Sequence, residues 1–194
     1  MARAEVSERA WFRFLRETKL AETAGVGRLD FPMTMDDHSP ELLRDFVKWF
    51  GEKSRDGYVY EVPTKEQWFT AFCGVSGMEK AYEAISAWFQ GSNAGEPRGF
   101  QPNPGVRYGL NRVSALGARK ENRTPTGLLD MEANVQEVVS DGEVFKVIGG
   151  SNRDADPGKI LLHCLQASPY GADERTLQGK ITGFRLCRRP AKAR

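Results

Sequence analysis

No long apolar run occurs in the 194-residue sequence, and this absence excludes several classes of protein. A helix that crosses a bilayer needs about 20 consecutive, mostly apolar residues, and no stretch of this chain approaches that length. The first residues lead directly into a pattern that contains Glu8, Arg9 and Arg13, which leaves no apolar core for a signal peptide. We therefore expect no membrane association and a cytoplasmic location.

An excess of charge of one sign is also absent. Lys and Arg number 28 and Asp and Glu 26, which gives a formal net charge of +2. Proteins that bind nucleic acids through phosphates need many uncompensated basic groups. We expect no nucleic-acid partner, and we interpret the basic residues at about 188–194 as a solvated tail.

Cysteine and histidine are scarce. The three cysteines, Cys73, Cys164 and Cys187, form no pair with zinc-binding spacing, and an odd number fits reduced thiols better than a disulfide framework. The two histidines, His38 and His163, belong to no visible cluster of metal ligands. Common nucleotide-binding, nucleophile and metalloprotease motifs are missing as well. Nothing in these residues indicates catalysis.

The sequence is 40% hydrophobic and 28% charged, and 194 residues are enough to bury one core. We therefore predict a single domain over residues 1–194. Helix start signals come early in the chain. Ser7 before an aromatic pattern predicts a helix at about 7–18, and Ser39 followed by proline predicts a second helix. Thr64 with Gln67 forms a capping box that opens a third helix.

The later chain has a different pattern. A fourth helix is predicted at about 77–89, and residues 90–127 are rich in Gly, Pro, Asn and Arg, which is typical of a long loop. Short β-type runs follow at Val144–Ile148, Ile160–Leu165 and Ile181–Cys187. Helices first and short strands later predict an α+β domain rather than alternating βαβ units.

Six segments, in order from residue 5 to 187, carry a resemblance to a known family. The early ones are Glu5-Val6-Ser7, the aromatic set Phe46, Trp49 and Phe50, and Tyr60-Glu61-Val62-Pro63-Thr64 with Trp68. The later ones are Gly127–Glu137, Gly149-Gly150-Ser151 and Gly183-Phe184-Arg185. Together they resemble the formylglycine-generating enzyme (sulfatase-modifying factor) family. The resemblance implies a C-type-lectin-like α+β fold with little regular secondary structure, early helices and short antiparallel strands late.

Several residues depart from the family pattern. Gln136, Val138 and Asn152 stand where the family has tryptophans. Two cysteines that bind copper in the catalytic members correspond here to Asp154 and Lys159. Soft thiolates select Cu(I), and neither a carboxylate nor an amine replaces them. A second branch of the family holds iron through histidines, and the two histidines of this chain, His38 and His163, form no visible cluster of ligands. We therefore expect neither a copper nor an iron cofactor.

A structural Ca²⁺ is the one cofactor that the resemblance favours. Its ligands would be Asp130, the main-chain carbonyls of Ala133 and Val135, and Glu137. Ca²⁺ takes six to eight hard oxygen ligands, which carboxylates and carbonyls in a tight turn supply. The alternative is a turn in which Asn134 and Glu137 hydrogen-bond the backbone with no metal.

The resemblance implies a non-catalytic ligand-binding or protein-binding module, because the oxidase residues are replaced. Some family members are sensor or effector domains of signalling proteins, and others are variable ligand-binding proteins, so a protein partner is expected. Two turn-rich segments, 152–159 and 168–179, are the predicted binding loops. Their candidate binding residues are Asn152, Arg153, Asp154, Asp156, Tyr170 and Arg175.

Three alternatives stay open. The two segments could be solvated loops with no binding role. The chain could be an enzyme of altered, oxidoreductase-like chemistry that uses the family's groove, with Arg119, Arg153 or Asp154 lining it. It could also be a structural subunit of a larger complex. The sequence indicates no oligomeric state.

Overall fold

In the computed structural model of the chain, the described residues form several ranges. They are 1–21, 31–34, 39–77, 79–80, 83, 115–117, 124, 126–131, 134–150, 168–169 and 182–191.

Three helices come early, and each starts at a side-chain cap. Helix α1, Glu8–Glu17, follows Ser7, whose hydroxyl accepts a hydrogen bond from the main-chain N–H of Ala10. Helix α2, Pro40–Ser54, follows Ser39 in the same way. These caps satisfy N–H groups that have no partner inside the helix.

Helix α3, Lys65–Cys73, begins with the predicted capping box. The Thr64 hydroxyl accepts from the N–H of Gln67 at 3.1 Å, and the Gln67 side chain accepts from the N–H of Thr64 at 2.8 Å. The helix ends at Gly74, whose φ of 71° is the left-handed conformation common at helix C-termini.

The strands form two small sheets. Strands β1, Tyr58–Glu61, and β6, Cys187–Pro190, make an antiparallel pair. The second sheet has four strands in the order β4-β3-β2-β5. Their bounds are Gln136–Asp141 for β2, Val144–Ile148 for β3, Ser168–Pro169 for β4 and Thr182–Gly183 for β5.

Strands β2 and β3 form an antiparallel hairpin, while β5 lies parallel to β2. Early helices and late strands make the chain an α+β protein, as the sequence predicts. Among the described residues, no helix combines the length and the apolar character needed to cross a membrane.

The core consists of two groups of buried side chains. The Trp11 cluster joins α1, α2 and the residues before β6, through ring contacts among Trp11, Phe14, Phe46 and Phe184. The Trp68 cluster joins α3 to the four-stranded sheet. Its members are Trp68, Phe69, Phe72, Cys73, Leu128, Met131, Val139 and Ile148.

Two sequence predictions need correction. The run Ile181–Cys187 is not one strand: β5 ends at Gly183 and β6 begins at Cys187. Between them the chain hydrogen-bonds with the N-terminal segment instead, since Val6 N–H donates to Phe184 C=O at 2.8 Å. Strand β2 was not predicted at all.

Other predictions fall largely outside the described residues. Glu79, Lys80 and Glu83 are helical, and the rest of the predicted fourth helix is not described. The predicted strand Ile160–Leu165 and most of the loop 90–127 also lie outside the described ranges.

Candidate functional site

The predicted binding loops lie almost wholly outside the described residues. This applies to Asn152, Arg153, Asp154, Asp156, Tyr170 and Arg175, and also to Lys159, Arg119, Ala133, His38, His163 and Cys164. Ser168 and Pro169, at the start of the second loop, are described as β4. The other predicted site residues are described: Asp130 and Val135 precede β2, and Glu137 belongs to a buried ionic cluster that also contains Glu5, Trp68 and Arg185.

Glu137 is the centre of that cluster. Glu137 lies in β2 and is 0% exposed, and both of its carboxylate oxygens accept hydrogen bonds. The Nε of Arg185 donates to Oε1 at 2.8 Å and to Oε2 at 2.7 Å, and Arg185 Nη2 also donates to Oε1. The indole Nε1 of Trp68 donates to Oε2 at 2.6 Å. One carboxylate therefore connects β2, α3 and the segment before β6.

Arg185 is also fully buried, and its remaining donors reach main-chain carbonyls. Its Nη2 donates to the C=O of Leu129 at 3.0 Å. Its Nη1 lies 3.3 Å from the C=O of Ala2 and 3.4 Å from that of Arg3. The charge of Glu137 raises the pKa of Arg185 against the opposing effect of burial. A planar guanidinium suits this role, because its donors point in fixed directions to several acceptors at once.

Glu5 is a second buried carboxyl group next to this pair. Its Oε1 accepts from the side-chain amide of Asn134 at 3.4 Å, while Oε2 has no hydrogen-bond partner among the described residues. Burial raises the pKa of Glu5 to about 8, Arg185 opposes this rise, and the negative charges of Glu137 and Asp130 add to it. Glu5 is therefore mainly protonated at neutral pH.

The turn before β2 has two residues with left-handed backbone, Asp130 with φ 58° and Asn134 with φ 77°. Asp and Asn tolerate this conformation better than other side chains that carry a Cβ. Asp130 is buried, and its Oδ2 accepts from the main-chain N–H of Gly117 at 3.0 Å. The turn is thus tied to a residue of the predicted long loop.

Gln136 connects the cluster to the Gly149-Gly150-Ser151 segment. Its side-chain Nε2 donates to the C=O of Gly149 at 3.0 Å. Gly149 has φ 86°, and a Cβ there would lie 3.4 Å from both Met131 O and the Trp68 ring. A glycine is therefore required by backbone conformation and by close packing.

These contacts bear on the expected calcium site. Glu137, one expected ligand, has its oxygens occupied by Arg185 and Trp68. Val135 is buried, and Asp130 already accepts a hydrogen bond. Within the described ranges, no three His, Cys, Asp or Glu side chains are grouped so as to hold a metal ion. A calcium ion at this turn would require Glu137 to give up one of its present donors.

The two described cysteines are not activated nucleophiles. Burial raises the pKa of Cys73 to about 12. Burial, with a contribution from Glu61, raises the pKa of Cys187 to about 11. Since the thiolate is the reactive and metal-binding form, both thiols are protonated and unreactive at neutral pH.

The sequence patterns do not predict that Glu5, Trp68 and Arg185 lie in one site. Two of them carry a local signal, because Glu5 precedes the buried Val6 and Arg185 stands between the buried Phe184 and Leu186. A charged residue inside an apolar run is unusual unless it is paired. That signal indicates burial but does not identify the partner.

No family model and no curated protein matches the chain. A solved structure titled "Crystal Structure of CarF" is similar with a TM-score of 0.49 and 18% sequence identity. The alignment covers 97% of this chain and 84% of that one. A similarity at this level carries no argument about fold or function.

Proposed function

We propose that the chain is a non-catalytic recognition module on the C-type-lectin-like scaffold of the formylglycine-generating enzyme family. The supporting observation is the buried ionic cluster. Glu5, Trp68, Glu137 and Arg185 belong to four of the six segments that resemble the family, and they meet around one carboxylate. Residues kept in the same order along the chain and packed together are what a retained scaffold requires.

The proposed lack of oxidase chemistry follows from the residue types at the copper-binding positions of the family. Asp154 and Lys159 stand at the positions of the copper-binding cysteines, and hard oxygen or amine groups are poor ligands for Cu(I). The buried thiols Cys73 and Cys187 are protonated. We therefore propose that the protein works without copper or iron and recognises a protein partner.

The proposed binding surface is formed by residues 152–159 and 168–179. The chain leaves the four-stranded sheet at β4, which is one edge strand, and returns at β5, which is the other. The second loop thus has both of its ends fixed to the same rigid sheet. Loops held by a rigid scaffold are the usual position of recognition residues.

Copper binding tests the non-catalytic part of the proposal. The wild-type protein is titrated with Cu(I) in competition with a chromogenic chelator and assayed for oxidation of a cysteine-containing peptide. We expect neither binding nor oxidation. The matched control is the double variant Asp154→Cys with Lys159→Cys, which should gain Cu(I) binding. Stoichiometric copper or peptide oxidation with the wild-type protein would overturn the proposal.

Loop variants test the recognition part. The wild-type protein, the variant Tyr170→Ala with Arg175→Ala, and the control Asp45→Ala on the exposed face of α2 are each purified with their associated proteins from cells that encode the chain. We expect one partner to be recovered with the wild type and the control but not with the loop variant. Equal recovery with all three proteins would place the binding surface elsewhere.

We also propose that the turn from Asp130 to Glu137 can bind Ca²⁺ as a structural ion. The proposal rests on the oxygen donors of that turn and on the negative charges of Asp130 and Glu137, which exceed the one positive charge of Arg185. Metal-free protein should release or absorb heat on addition of Ca²⁺. A chelator should lower the melting temperature of the Ca²⁺-bound protein. No heat and an unchanged melting temperature would refute the site.

A further inference from the structure

Helix α1 carries a line of arginines on its outward side. Successive residues of a helix are about 100° apart around its axis, so Arg9, Arg13 and Arg16 fall within a sector about 60° wide. All three are exposed. The two carboxylates of the helix, Glu8 and Glu17, lie on the flanks of this sector. The opposite side of the helix is buried in the core through Trp11, Phe14 and Leu15.

The positive charge of this sector is only partly balanced within the protein. Glu17 accepts a hydrogen bond from Arg13 Nε at 2.8 Å and forms an ion pair with Lys53 Nζ at 2.7 Å, so two cations share one carboxylate. Hydrogen bonds from Lys53 and Arg13 lower the pKa of Glu17 to about 2. Arg9 and Lys19 are exposed and form no ion pair among the residues that the structure describes. An excess of positive charge therefore remains along the outward side of α1.

An exposed leucine lies at the end of the same helix. The main-chain N–H of Leu20 donates to the C=O of Leu15 at 3.0 Å, which holds Leu20 at the C-terminal end of α1. Its residue is nevertheless 54% exposed. We call the three arginines together with Leu20 the Arg9 face. Arginine is enriched in protein interfaces, and an apolar side chain beside it adds area that a partner can cover.

The spacing of the arginines fits a second helix. With a rise of about 1.5 Å per residue, Arg13 and Arg16 lie about 6 Å and about 10.5 Å along the axis from Arg9. Carboxylates at positions i, i+4 and i+7 of a partner helix have the same spacing. Residues on one face of a strand repeat at about 6.8 Å and fit the third arginine less well. Each guanidinium can bind a carboxylate through two parallel N–H groups.

We propose that the Arg9 face is a docking surface for an acidic helix of a partner protein. The guanidiniums pair with carboxylates of the partner helix, and an apolar side chain of that helix covers Leu20. The Arg9 face contains no residue of the loops at 152–159 and 168–179, so this inference does not depend on the function proposed above.

Designed helical peptides test the proposal. Two capped, fluorescein-labelled peptides of Ala and Gln carry three Glu and one Leu with the spacing of Arg9, Arg13, Arg16 and Leu20, one in each chain direction. A control peptide has Gln in place of each Glu, and binding to the full chain is measured by fluorescence anisotropy. We expect one of the acidic peptides to bind at least about tenfold more tightly than the control peptide. About 0.5 M salt should remove this difference, because it screens exposed charges.

Three variants locate the surface. Arg9→Glu reverses an exposed charge without breaking an ion pair among the described residues, and it should weaken binding of the acidic peptide at least about fivefold. The matched control Lys80→Glu makes the same change at an exposed helical position outside α1 and should bind nearly as the wild type does. Leu20→Ser should weaken binding of the acidic peptide that contains Leu but not of a version with Ser in its place.

Equal binding of the acidic and control peptides by the wild type, or equal losses with Arg9→Glu and Lys80→Glu, would overturn the proposal. A single-stranded oligonucleotide and vesicles that contain phosphatidylserine are measured in parallel. If either binds more tightly than the acidic peptides and Arg9→Glu removes that binding, the face recognises phosphate groups instead and the proposal is wrong. The loop variant Tyr170→Ala with Arg175→Ala should still bind the acidic peptide, which separates this outcome from that of the recognition loops.

Discussion

At the scale of single residues, the pair of Arg185 and Glu137 has the largest energetic consequence. Both side chains are shielded from water, at 0% and 1% exposure, and each is bonded by the other. A buried ion pair can cost as much to desolvate as it gains in attraction, but removing one partner leaves a buried charge without compensation. The pair is therefore far more sensitive to single substitution than the exposed ion pairs of the chain.

We predict that Arg185→Met lowers the free energy of unfolding by about 3–5 kcal/mol, because it leaves the Glu137 carboxylate buried and unpaired. The double variant Arg185→Met with Glu137→Leu should recover much of this loss, since no buried charge remains. Urea unfolding followed by circular dichroism measures both. A loss below about 1 kcal/mol for Arg185→Met would contradict the burial of the pair.

Glu5 makes the stability depend on pH. Its pKa is raised from 4.5 to about 8 in the folded protein, so the folded state holds this proton more tightly than the unfolded state. Its contribution is fully present below about pH 4.5 and is lost as the pH rises through about 8. We predict that Glu5→Gln flattens the fall in melting temperature between these limits and makes the protein more stable than the wild type at alkaline pH.

Melting temperatures of the wild type and Glu5→Gln across this pH range provide the measurement. Glu52→Gln, at an exposed position on α2, serves as the control and should follow the wild-type curve. If Glu5→Gln keeps the wild-type slope, Glu5 does not titrate in this range.

The sequence predicted Glu137 as a site residue but not its partners. The bonds from Glu137 span 48 residues to Arg185 and 69 residues to Trp68. Local patterns of polarity show that a charged residue is buried, but the side chain that compensates it is decided by the tertiary fold. The prediction of a calcium site used the residue types of one turn. It therefore did not include the Arg185 guanidinium, which donates to both carboxylate oxygens of Glu137.

At the scale of secondary structure, the helix starts were predictable because their signals are local. Ser7, Ser39 and Thr64 each bond an N–H within three residues. Strand β2 was missed because Gln136, Glu137, Val138 and Val139 are all buried, so the segment has no alternation of polar and apolar residues. Its two buried polar residues, Gln136 and Glu137, are accommodated by hydrogen bonds that no local pattern reveals.

The capping box of α3 gives a prediction at this scale. Thr64→Ala removes the hydroxyl that accepts from Gln67 N–H and should lower the free energy of unfolding by about 1 kcal/mol. Ser76→Ala, at an exposed position just after the same helix, should change it by less than about 0.5 kcal/mol. Chemical unfolding of the two variants measures the difference, and equal effects would argue against the cap.

At the scale of the whole molecule, the ionic cluster joins the two hydrophobic clusters. Trp68 donates to Glu137, and Arg185, bonded to the same carboxylate, follows directly on Phe184 of the Trp11 cluster. Groups that share a buried network are energetically coupled. The two clusters should therefore be lost together when the protein unfolds.

We predict a single unfolding transition for both clusters. Fluorotryptophan incorporated into the protein gives separate fluorine NMR signals for Trp11 and Trp68, which Trp→Phe variants assign. The native signals should disappear at the same urea concentration, as two-state unfolding requires. Clearly different midpoints would show that the clusters are independent units.

The contact of Arg185 with the carbonyls of Ala2 and Arg3 spans up to 183 residues and has a consequence for synthesis of the chain. On the ribosome, the N-terminal segment and Glu137 emerge long before Arg185 does. Until then the nascent chain has the Glu137 carboxylate without its cation, and the N–H groups of Ala2 and Val6 lack the carbonyls of Leu186 and Phe184 to which they donate. We therefore expect the core to close only after residue 185 has left the exit tunnel, with the earlier helices only partly folded until then.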